Sequence, residues 1–140
     1  SFAVVEGAER LKEMSSHAKD YLLRASSSTL GFLASREVLE DHDFNIFYGA
    51  PCLVIVCARP PSRQATEDCC LAAQNLMLAA HAQGLGSCWI EFARPWLELN
   101  QTRTSLGLLA DQMPVAPIIL GRPAARPEPS RRHRPPIIWN

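Results

Sequence analysis

Residues 68–91 read DCCLAAQNLMLAAHAQGLGSCWIE. The first two thirds follow a helical pattern that is apolar on nearly every side. Thr66 reads as the N-cap, with Glu67 and Asp68 complementing the positive end of the helix. The pattern predicts a helix from about Glu67 to Gln83, with Gly84 turning the chain out at the C′ position. Ala72, Ala73, Ala79 and Ala80 permit close approach to neighbours. Gln74 and Asn75 read as polar residues satisfied across an interface. Such a helix should be buried on most faces, which needs more cover than one small domain supplies. A partner subunit is the natural source. After the glycines, Ser87–Glu91 reads as a strand. A surface loop would not need Trp89, and a plain core strand would not need the glycines or Glu91.

Upstream, Phe2–Val5 is a short apolar strand and Glu6-Gly7 a turn. Leu11, Met14, Ala18, Tyr21 and Leu22 recur at helical spacing and predict a helix over Ala8–Leu23. Phe32–Leu39 reads as a second, weaker helix. The run CLVIVCA at Cys52–Ala58 is apolar on both faces, which suits a central strand covered on two sides. Downstream, Pro95–Leu106 reads as a helix with proline in its first turn. VAPIILG at Val115–Gly121 is another strand. Residues 122–140 form a Pro/Arg-rich arm that cannot pack a core and that ends in an apolar strand stub, Ile137–Trp139. The order of these parts predicts a mixed sheet with helices on both faces.

A chain of 140 residues makes one domain, here 1–140. With 47% apolar and 20% charged residues it has a globular balance and not a disordered one. Net charge is zero, so no overall field draws it to nucleic acid or to a membrane. The last twenty residues nevertheless carry five arginines against Glu128, and an acidic body offsets them. A basic tail on an acidic body points to an anion. The apolar runs are too short to span a bilayer, and the opening SFAVVEGAER lacks the form of a signal peptide. The five cysteines lie in apolar runs without a CxxC pair and read as reduced, buried and cytoplasmic. The four histidines lack metal-ligand spacing, so no metal site is expected. No side chain is assigned a catalytic role.

The segments NIFYGAPCLVIVCA, DCCLAAQNLMLAAHAQGLGSCWIE, MPVAPIILGRP and RRHRPPIIWN, in this order, resemble the nitroreductase family of flavoproteins. The resemblance covers roughly Phe2 to Trp139. It implies an α+β fold, a nitroreductase-like mixed β-sheet flanked by helices, with a C-terminal arm extended toward the partner subunit of a homodimer. It implies FMN at the dimer interface. Electrons would pass from NAD(P)H through the flavin to a small-molecule acceptor such as a nitroaromatic or a quinone. It places Trp89, Ile90 and Glu91 beside the flavin ring, with the main chain at Ile90 and Glu91 facing it. It places Arg132 and Arg134, with Arg131 as neighbour, at the FMN phosphate, where the guanidinium fork matches phosphate oxygens. For these arginines the other reading is a solvated basic tail. The family also carries a leader with an Arg-Arg-Ser-x-Arg motif ahead of the strand that Ser1-Phe2 matches. This chain is expected to be a fragment or an N-terminally shortened relative. The alternative to an enzyme is a non-catalytic dimer of the same fold with an incomplete flavin pocket.

Overall fold

The computed structural model describes residues 1–25, 36–125, 128 and 131–139. Four strands, β1 (Phe2–Glu6), β2 (Cys52–Ala58), β3 (Gly86–Trp89) and β4 (Met113–Gly121), form one sheet in the order β1-β2-β4-β3. All three pairings are antiparallel, so the expected mixed sheet is corrected to an antiparallel one within the α+β class. The cause lies in the returns. The Gly7 N–H donates to the Pro51 carbonyl at 2.9 Å, so β2 starts where β1 ends and must run back along it.

Helix α1 (Ala8–Arg24) matches its predicted span to within one residue. Its buried positions, Leu11, Met14, Ser15, Ala18 and Leu22, lie on one face. They pack with Val5, Leu53, Ile55, Cys57 and Ile119 against one side of the sheet. Ser15 is polar but fully partnered: its buried hydroxyl accepts from the Ile46 N–H at 2.9 Å. This bond fixes the segment that buries Ile46 and Phe47. Helix α2 (Arg36–Glu40) contains the last part of the predicted second helix, whose residues 32–35 lie outside the described residues.

Helix α3 (Arg63–Ala82) covers the other side of the sheet. It begins a turn earlier than expected, because Ser62 and not Thr66 is the N-cap. The Ser62 hydroxyl accepts from the Ala65 N–H at 3.0 Å, while the Thr66 hydroxyl donates back to the Ser62 carbonyl. The exit follows the prediction. Gly84 adopts φ +73°, and the Leu85 N–H reaches back to the Ala80 carbonyl at 2.9 Å. This is the Schellman arrangement that a glycine makes possible. The expected burial on most faces is not met within one chain. Only Cys69, Ala73 and Ala80 are buried, and Leu71 (67% exposed) and Leu78 (57%) face outward. One sheet can cover only one side of a rod.

The predicted helix Pro95–Leu106 divides into α4 (Arg94–Leu97) and α5 (Asn100–Ser105). Leu99 between them is extended, at φ −62° and ψ 136°, which a continuous helix forbids. β4 starts at Met113, two residues before the predicted strand. Ile137–Trp139 is not a strand. Residues 131–139 have no regular structure, and Ile138 and Trp139 are 85% and 87% exposed. A strand needs a neighbouring backbone, and the described residues offer this stub none. Cys57 and Cys69 are buried as expected, but Cys70 and Cys88 are exposed and Cys52 lies between. Burial pushes the Cys57 thiol up to about 11, which suits a packing residue and not a nucleophile.

Replacing Ser15 by alanine strands the Ile46 N–H in the core. It should lower unfolding free energy by about 1–3 kcal/mol, the usual penalty for an orphaned buried donor. Chemical denaturation of the purified variant measures this, and an unchanged midpoint would show that the Ile46 N–H finds water instead.

Candidate functional site

Among the described residues β3 is an edge strand, paired only with β4. The register sets Trp89 opposite Ile118 and Cys88 opposite Ile119. In an antiparallel ladder, alternate residues bond to the partner and those between turn their main-chain groups away. Ile90 bonds inward: its N–H donates to the Pro117 carbonyl at 2.8 Å. The next residue, Glu91, lies beyond β3 and opens a 3-10 turn, and its N–H takes no part in the ladder. Among the described residues that N–H has no acceptor.

Pro117 explains why the strand stops here. An ordinary residue opposite Ile90 would return a bond to the Ile90 carbonyl, completing the pair. Proline has no N–H to give. The Ile90 carbonyl instead accepts from the Ala93 N–H at 3.3 Å, and the chain curls into a 3-10 turn over Glu91–Ala93. The predicted strand Ser87–Glu91 is accordingly shifted to Gly86–Trp89, with a corner at Ile90. Both main-chain groups of Ile90 are thus used within the fold, whereas the N–H groups of Trp89 and Glu91 have no acceptor among the described residues.

The side chains at the corner divide between the two faces. Ile90 is 2% exposed and joins the core beneath α1. Trp89 is half-buried and packs on the α3 side with Met77 and Leu120. Its indole N–H donates to Glu91 Oε2 at 3.0 Å. Glu91 Oε1 faces Arg94 Nη1 at 3.4 Å, and Arg94 Nε donates to Glu98 Oε1 at 3.0 Å. Sequence reading missed Arg94 and Glu98, although their four-residue separation at a helix start signals a pair. It also missed Tyr48, whose φ of +53° precedes Gly49 at +69°. Phe44 touches Tyr48 edge-on at 6.0 Å and Phe92 at 6.1 Å, so one aromatic chain runs to the corner.

A hollow of about 240 Å³ lies where β3 begins and β4 ends, lined by Tyr48, Gly86, Ser87, Gly121 and Arg122. A larger one, about 470 Å³, lies on the α1 side between His17, Tyr21, Arg24 and Trp96. Neither hollow includes Trp89, Ile90 or Glu91. The structure therefore brings Trp89, Ile90 and Glu91 together. It does not bring Arg131, Arg132 and Arg134 to them: these sit on the exposed C-terminal segment and make no hydrogen bond or ion pair with the described residues. The corner fits the edge of a flat conjugated ring, since it offers an unpaired donor, an aromatic neighbour and an open side. Among the described residues no helix is long and apolar enough to cross a membrane.

The Nitroreductase family profile matches residues 1–122. The "Putative NADH dehydrogenase/NAD(P)H nitroreductase" of Methanothermobacter thermautotrophicus is 31% identical over 114 residues, 71% of this chain and 60% of that protein. The chain therefore spans less than two thirds of that curated relative. A Bacteroides fragilis nitroreductase with bound FMN superposes with a TM-score of 0.79 at 26% identity, over 99% of this chain and 75% of that one. A Desulfitobacterium hafniense nitroreductase with bound FMN gives 0.74 at 22% identity, over 94% and 70%, a likeness of fold alone. The profile spans all four strands and the corner built on Pro117, and with it the chain belongs to the nitroreductase family.

Proposed function

We propose that this chain forms the ring-edge wall of an FMN site in a homodimeric, cytoplasmic oxidoreductase of the nitroreductase type. The observation that carries the reading is the unpaired Glu91 N–H at the corner that follows β3, in a family whose Bacteroides fragilis member holds FMN. When bound, FMN supplies two-electron chemistry between a nicotinamide donor, NADH or NADPH, and an acceptor such as a nitroaromatic or a quinone. The chain's residues bind and orient. The Glu91 main chain donates to the electron-rich edge of the ring, Trp89 walls it, and the β3 corner keeps that geometry rigid. Arg132 and Arg134, with Arg131 beside them, meet the phosphate. They reach it from the Pro/Arg-rich C-terminal segment, so their geometry is completed by binding.

The dimer follows from what one chain leaves in water. Leu71 and Leu78 lie two helical turns apart on the outer stripe of α3, and Ile137, Ile138 and Trp139 end the arm. Full burial of each such side chain is worth about 1.5–3 kcal/mol, enough in sum to hold two copies together. A partner seated on the outer face of α3 would cover both leucines.

Titration of the purified protein with FMN should quench flavin fluorescence saturably. Exchanging Arg132 and Arg134 together for alanine removes two charge-assisted bonds of about 1.5–3 kcal/mol each. The Kd should rise roughly a hundredfold to ten-thousandfold. Equal affinity would remove these arginines from the phosphate site, and no uptake by the unaltered protein would remove the flavin. Sedimentation should give a dimer at micromolar concentration, and Leu71→Asp with Leu78→Asp should give a monomer. A monomeric parent protein would refute the interface.

A further inference from the structure

The carboxylate of Glu91 has both oxygens engaged, one by the Trp89 indole N–H and one by Arg94, which is itself tied to Glu98. All three charged side chains are more than a third exposed, at 36–47%. Pairs this wet contribute about 0–1 kcal/mol each, so stability does not account for such a chain. Geometry does. The chain begins on the last residue of β3, crosses the 3-10 turn and ends on α4. It spans the one stretch where the ladder has been broken by Pro117. The Glu91 main chain is also held by the Arg94 N–H, which donates to the Glu91 carbonyl, so the side chains add a second tie across the same turn.

We propose that the Glu91 side chain is a positioning residue: by clamping Trp89 and Arg94 across the 89–94 corner, it aims its own main-chain N–H, and the face of the Trp89 indole, at the bound flavin. The indole N–H is consumed inside the clamp, so the indole presents its apolar face to the cleft and not its donor. The inference rests on the flavin reading above, but it concerns the carboxylate, whereas that reading uses only the main chain.

Two contributions to the flavin potential must be separated. A negative charge near the ring disfavours the electron-rich reduced form, so removing it by any substitution raises the potential. A loosened amide stabilises the reduced form less and lowers the potential. Glu91→Gln removes the charge but keeps an oxygen that can accept from the indole. Glu91→Ala removes the charge and the clamp. These two variants carry equal charge, so their difference reads the geometry alone. Trp89→Phe is the converse, cutting the indole bond without altering charge.

The experiment has two arms on the full chain. In flavin-free protein, 15N-resolved NMR of wild type and Glu91→Gln should show dispersed signals for the residue 91 amide and the Trp89 indole. In Glu91→Ala both should move toward values for an unstructured chain while the rest of the spectrum stays. A Trp89 indole signal at the same position in all three proteins would overturn the clamp, whether or not flavin binds. In FMN-loaded protein, Glu91→Ala should favour reduced over oxidised FMN at least tenfold less than Glu91→Gln does, about 30 mV for a two-electron couple. Trp89→Phe should shift the potential down from wild type. Equal potentials for the alanine and glutamine variants would overturn the proposal. Failure of every protein to take up FMN would instead refute the flavin reading, and the NMR arm would still decide the clamp.

Discussion

The site depends on a hydrogen bond that cannot form. Pro117 sits in the third strand of the sheet order, opposite Ile90, and has no N–H to return across the ladder. Proline is rarely tolerated inside a sheet because it leaves a partner's carbonyl unpaired. Here the Ile90 carbonyl turns to Ala93 and starts a helical turn. Strand β3 is cut short, the chain bends, and the next amide along, that of Glu91, is left without an acceptor among the described residues. A donor is thus held by a rigid element and yet has no partner of its own. That is the combination a cofactor edge requires, since a preorganised dipole needs no reorganisation when charge arrives.

Around this corner the fold divides its labour between the two sides of one thin sheet. The α1 side holds the larger cluster, from Val5 and Leu11 to Trp96 and Leu97, and anchors Ile90 from beneath. The α3 side holds a smaller cluster of mostly small residues and supports Trp89. A helix that buries only Cys69, Ala73 and Ala80 is weakly held by its own chain. In the proposed dimer a second copy would cover its outer leucines.

Much of this is legible in the amino-acid order. The all-apolar run Cys52–Ala58 announces a strand covered on two sides, and it is the second of the sheet's four, with six of its seven residues buried. Gly84 announces the helix exit, since only a residue free to adopt positive φ makes that turn cheaply. The failures have physical causes. Ser62 and Thr66 are both good caps, and choosing between them needs the position of the loop behind Pro60 and Pro61. The break at Leu99 reflects tertiary packing that places Trp96 and Leu97 in the core, which periodicity does not foresee. The run GLGSCWIE identifies the corner, but not which amide is free. That depends on a proline 27 residues downstream, and no local pattern joins the two. The predicted burial of α3 and the predicted strand stub at Ile137–Trp139 are not met: one sheet covers only one side of the helix, and the stub has no neighbouring backbone among the described residues.

Residue-resolved amide hydrogen exchange tests the central claim most directly. The account predicts that the Ile90 amide exchanges slowly with or without FMN, being bonded to Pro117, whereas the Glu91 amide exchanges fast in the free protein and slows on flavin addition. A Glu91 amide already protected in the free protein, or one left unprotected with flavin bound, would contradict it.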